Sequence, residues 1–93
     1  MTEPTVHHNA AAARFEAQVD GGLADCSYRL RGGVRDIVHT GVPPRSEGRG
    51  IAAVLVRTTL AHARAQGLKV RPSCSYVAAY MRRHPDTLDL LEP

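Results

Sequence analysis

Apolar and polar residues alternate along 14–20, with Phe15, Ala17 and Val19 on one side and Glu16, Gln18 and Asp20 on the other. A period of two is that of a strand with one buried face, so the pattern predicts a strand over 14–19. Asp20-Gly21-Gly22 follows, a set of residues that tolerates positive φ and marks a tight turn. The alternation resumes with Ala24, Cys26, Tyr28 and Leu30 against Asp25, Ser27, Arg29 and Arg31. Gly32-Gly33 supplies a second turn before a third strand from 34 to about 42. Strands joined this closely form an antiparallel meander. Residues 1–13 show neither period and are expected as a mobile N-terminal tail, with His7 and His8 solvated.

Beyond the meander the spacing becomes helical, and Ala52, Leu55, Val56, Thr59, Leu60 and Ala63 form one stripe. Gly67 closes this helix, and Leu68 is placed for the apolar contact of a glycine C-cap. The run 68–73 reads as a fourth strand, parallel to the third because a helical crossover joins them. A second helix over 75–83 carries Val77 and Met81 on one line and Tyr76 and Tyr80 on another, until Pro85 stops it. Residues 87–91 are expected as a last helical turn. The fold class is α/β (α+β), in one domain over 14–93.

Ninety-three residues allow one modest core and no separate substrate domain. No apolar run approaches the roughly 20 residues of a membrane helix, and the N-terminus lacks the basic and apolar regions of a secretory signal. A cytoplasmic protein is the expectation. Cys26 and Cys74 have no metal-ligand or redox spacing, so free thiols and no metal site are expected. The net charge of +3 is spread among acids, and four aromatic residues offer few stacking surfaces; both count against nucleic acid.

The segment HTGVPPRSEGRGIAA, 39–53, runs from a strand through a glycine-punctuated turn into a helix. Unpaired backbone N–H groups and the positive end of a helix dipole meet there, which suits an anionic group. A Walker loop is excluded because its lysine is missing. A dinucleotide fingerprint is formally matched by Gly48, Gly50 and Ala53, but the strands before it are antiparallel and no carboxylate follows at the required distance.

HTGVP at 39–43, GRGIA at 48–52, CSYVAAY at 74–80 and His84-Pro85 occur together and in this order. On these blocks the chain resembles the GNAT superfamily of acetyltransferases, in particular its short stand-alone members. The resemblance implies a minimal domain: three-stranded meander, helix, parallel fourth strand and C-terminal helix. It implies acetyl-CoA as cosubstrate, its pyrophosphate on the backbone amides of Gly48, Arg49, Gly50, Ile51 and Ala52. The end of the third strand, Thr40, Gly41 and Val42, would follow the pantetheine arm where the sheet splays, with Tyr76 beside it. Glu47 stands where the superfamily's loop begins with Arg or Gln, and Arg45 or Arg49 is expected to compensate its charge. Short relatives tend to carry an acid where this chain has Gly41.

Acetyl transfer to an amine needs a base, a polarised carbonyl and a way to manage the departing thiolate. His39, at the end of the third strand, is the candidate base. Cys74, where the fourth strand turns into the second helix, is a candidate for an acetyl-cysteine relay, since a helix N-terminus favours a thiolate. Tyr80 is the candidate acid for the leaving thiolate, with Tyr76 its neighbour one turn away. Cys26 is expected in the core and His62 on a solvated helix face. The function expected is N-acetylation of a small amine or a protein amine, by direct attack rather than relay. A CoA-binding protein without turnover is the alternative. The missing acceptor-shaping segments imply an exposed acceptor end or a homodimer.

Overall fold

The computed structural model describes residues 3–93. Strands β1 (His7–Asn9), β2 (Arg14–Val19), β3 (Gly22–Arg31), β4 (Val34–Gly41) and β5 (Lys69–Pro72) form one sheet in that spatial order. All neighbours are antiparallel except β4 and β5, which run parallel across helix α1 (Ile51–Ala65). Helix α2 (Ser75–Arg83) follows β5, and a 3-10 turn over Pro85–Leu90 leads Leu91 back to bridge Val70. The meander, the crossover and both helices stand as the sequence predicts.

The alternation seen in the sequence decides which side of the sheet is dry. Phe15, Ala17, Ala24, Cys26 and Ile37 are all at most 2% exposed and face α1, whose Leu55, Val56, Leu60 and Ala63 are equally buried. Val77, Tyr80 and Met81 of α2 join the same core. Both helices therefore lie on one face of the sheet. The other face carries Glu16, Gln18, Asp25, Ser27, Arg29 and His39, and no helix among the described residues covers it. Gly67, at φ 69°, ends α1 as expected: Leu68 N–H donates to the Ala63 carbonyl and Gly67 N–H to that of Arg64.

One sequence expectation needs correction. Residues 3–13 are not a uniform tail, because His7–Asn9 pairs with β2 in the register His8↔Phe15, while residues 1–2 of the expected tail lie outside the described residues. The reason is His8, whose ring stacks on Phe15 with centroids 4.2 Å apart and whose Nε2 lies 2.6 Å from the Tyr28 hydroxyl. A side chain that finds an aromatic face and a hydrogen bond offsets the ordering entropy of a short edge strand.

Candidate functional site

Two local features of β4 and β5 create an opening in the sheet. Ser27 pairs with His39 and Tyr28 with Ile37, so Val38 is an extra residue on β4, a β-bulge that bends the strand. The ladder to β5 ends at Ile37↔Pro72; Ser73 N–H then turns back to the Arg71 carbonyl, and Cys74 N–H makes the last cross-strand bond, to the Ile37 carbonyl at 2.9 Å. Residues 38–41 continue with β3 on one side and no β5 partner on the other. The strands splay there.

Beside the splay lies the N-terminus of α1. Gly50 is its N-cap at φ 75° and ψ 12°, offers no side-chain cap, and no acid stands in the first turn. The first helical bond runs from Val54 N–H to the Gly50 carbonyl, and the N–H groups of residues 48–53 have no backbone acceptor among the described residues. A Cβ built at Gly48 or Gly50 would meet nothing within 4 Å, so both glycines border open space. Unspent donors, a first helical turn without an acid and room for close approach together suit an extended anionic ligand. Thr40, Val42, Gly48, Gly50, Ile51, Ala52 and Tyr76 line a cleft of ≈ 380 Å³ here, with Ser46 and Glu47 on its wall.

The loop is held from behind. Ser46, fully buried, donates its hydroxyl to the Asp20 carbonyl at 2.7 Å, and a Cβ at Gly21 would approach the Arg45 Cβ to 3.2 Å. The Arg49 guanidinium pairs with the Asp20 carboxylate at 3.0 Å. Arg49 thus braces the loop against the β2–β3 turn, and the partner it finds is Asp20 rather than the Glu47 that the sequence expects Arg45 or Arg49 to compensate. Ser46 itself is a positioning residue that sequence reasoning missed, since nothing in a lone serine before a glutamate announces it.

Cys74 is the N-cap of α2 and reaches across the splay, its Sγ 3.6 Å from the Thr40 Oγ1. Burial pushes its thiol up, but the Val77 N–H, the Thr40 hydroxyl and the Tyr76 N–H outweigh this and hold it below the ordinary thiol value. Thr40 Oγ1 also lies 3.9 Å from the Sγ of Cys26, which is fully buried as expected and whose thiol burial pushes up.

The strand alternation separates the remaining candidates. Thr40 shares the helix side with Cys26, whereas His39 and Gly41 share the uncovered side with Ser27 and Asp25. His39 Nε2 stands 3.9 Å from Asp25 Oδ1, with its side chain 62% exposed. His39 and Cys74 therefore approach the splay from opposite faces. Tyr80 is not brought to the cleft: it is buried, stacks on His84 at 3.9 Å and borders a separate cavity with Arg57 and Leu60. Burial is the main cause of a raised phenol there. One helical turn carries Tyr80 away from the mouth that Tyr76 occupies.

Residues 14–90 match the family model described as GCN5-related N-acetyl-transferase. The chain belongs to the GCN5-related N-acetyltransferase family. The fold agrees: a GCN5-like protein from Staphylococcus aureus solved by NMR superposes with a TM-score of 0.76 at 25% identity, over 99% of this chain and 91% of that one. Protein NATD1 of Mus musculus and of Homo sapiens are each 30% identical over 93 residues, 95% of this chain and 84% and 82% of theirs. As a member of the GCN5-related family, the chain has the splay and the uncapped helix in the order its sequence blocks implied. No helix of the described residues is long and apolar enough to cross a membrane.

Proposed function

We propose that the protein is an acetyl-CoA-dependent N-acetyltransferase whose acceptor amine comes to the splay from the uncovered face of the sheet. The observation that carries this reading is the continuity of the open β4–β5 splay with the uncapped N-terminus of α1 in a single cleft. Acetyl-CoA supplies an activated acetyl thioester. The amides of Gly48, Gly50, Ile51 and Ala52 would hold its pyrophosphate, and Thr40 and Val42 with Tyr76 would flank its arm. His39, on the acceptor side, takes the proton that the amine loses as its C–N bond forms and the thioester C–S bond breaks, CoA leaving as its thiolate. Asp25, 3.9 Å away, steadies that imidazole. Two free thiols fit a reducing cytoplasm.

Cys74 favours a second route. Its lowered thiol faces the splay, so the thiolate can accept the acetyl group as an S-acetyl ester, with CoA leaving as thiolate, before an amine removes it. Thermal melting tests the cofactor: acetyl-CoA at about 100 times Kd adds roughly 2.7 kcal/mol, and ATP or NAD adds nothing. Release of free CoA thiol with a panel of amines then separates an enzyme from a CoA-binding protein without turnover. Equal shifts with all three nucleotides would remove the acetyl-CoA reading. Intact mass after incubation with acetyl-CoA decides the route, since only a relay leaves an acetyl group that Cys74→Ser abolishes.

A further inference from the structure

Arg35 is the largest fully buried side chain in the protein, 2% exposed, and no carboxylate pairs with it among the described residues. Its guanidinium lies over Tyr28 at 4.5 Å and Phe15 at 5.3 Å. Nη1 donates to the Thr59 carbonyl at 3.3 Å and meets His62 Nδ1 at 3.1 Å, while Nε has no partner. Aromatic faces, a neutral carbonyl and the negative end of α1 compensate only part of a full charge. Burying the rest without a counter-ion is costly.

Arg35 lines a cavity of ≈ 470 Å³ whose other walls include His8, Tyr28, Leu30, His62, Gln66 and Leu68. Leu30, at the mouth, is 61% exposed, more than any other large hydrophobic among the described residues. A buried cation at the base and apolar walls above it describe an amphiphilic anion. From Ile51 to His62 is about 16 Å along α1, so the cavity is at the opposite end of the helix from the glycine loop.

We propose that this cavity binds a small carboxylic acid with a short apolar tail, its carboxylate on Arg35 and its tail along Leu30 and Leu68. Inorganic phosphate fits less well, because the mouth is apolar. The site is independent of the acetyl-transfer reading.

Sodium hexanoate is the probe and hexanamide its uncharged control, with NMR of the His62 imidazole and the Arg35 Nε–H as readout. Hexanoate should shift both signals saturably and leave the Gly50 amide unmoved, while hexanamide shifts neither. Arg35→Met should abolish the response. Leu30→Asp, at an exposed position that leaves the fold intact, should weaken hexanoate at least about tenfold by repulsion at the mouth, whereas Leu30→Asn should not. Equal responses to hexanoate and hexanamide, no saturable shift with hexanoate, or unchanged binding in Leu30→Asp would each overturn the proposal and leave Arg35 as a stacked structural cation.

Discussion

Gly41 and Asp25 face each other as paired residues of β4 and β3, and the absent side chain of one makes room for the carboxylate of the other. A Cβ at Gly41 would lie 3.1 Å from Asp25 Oδ1 and 2.8 Å from His39 Nε2. Ser27 donates to the second carboxylate oxygen at 2.7 Å, which turns the first toward the imidazole. Short relatives tend to carry an acid at this position; here the carboxylate beside Gly41 is that of Asp25 on the adjacent strand. Gly41→Ala should displace the exposed tip of His39 and the half-buried Asp25 carboxylate at a stability cost of no more than about 1 kcal/mol. In the proposed reaction it should lower kcat with little change in KM for acetyl-CoA. Denaturant melts and steady-state kinetics on one preparation check both halves.

Gly50 holds a left-handed conformation at the helix N-cap that an alanine adopts only at a cost of about 1–2 kcal/mol. Gly50→Ala should therefore destabilise the protein by about that amount and also reduce the melting shift produced by acetyl-CoA, because the added methyl enters the cleft. An unchanged ligand shift in a destabilised variant would separate the loop's backbone role from any contact with the cofactor.

Native Cys74 should react with iodoacetamide while Cys26, fully buried, waits for denaturant. The alkylation rate of Cys74 should reach its plateau at a pH below that of an unperturbed thiol, since backbone N–H groups and the Thr40 hydroxyl favour the thiolate. Thr40→Val removes one of those donors and should move the profile back upward. Mass spectrometry of the labelled sites over a pH series provides the measurement.

His8 and His62 both have lowered folded-state values, mainly through burial; Arg35 adds repulsion to each, and the pair repel one another. Between those values and the ordinary histidine value near 6.5, the unfolded chain binds more protons than the folded one. The contribution to stability is complete above about pH 6.5 and is lost as the pH falls through the folded-state values. The melting temperature should drop over that acid range, and less so in His62→Gln. A flat profile for wild type down to pH 5 would contradict the lowered values of these two rings.

The sequence made the meander, both helices and the parallel strand legible because each rests on local periodicity. Gly67 and Leu68 announced their cap, and the glycines at 48 and 50 announced the turn into α1. β1 stayed hidden since its support comes from Phe15 and Tyr28 across the sheet, not from any alternation of its own. The Val38 bulge is a property of two strands together, and it decides that His39 faces the uncovered side while Ile37, two residues earlier, faces the helices. Tyr76 and Tyr80 looked equivalent on a helical wheel, yet depth along α2 separates the mouth from the core. The burial of Arg35 could not be read from residue type, because arginine ordinarily marks the surface.

The sheet leaves the His39 side wet. Many transferases must swing a flap aside before product departs, and that swing can set the pace. The His39 side chain is 62% exposed, so in the proposed reaction an amide formed there would diffuse off at once, and discrimination between acceptors would fall on charge and shape at the strand surface instead of on the timing of a gate.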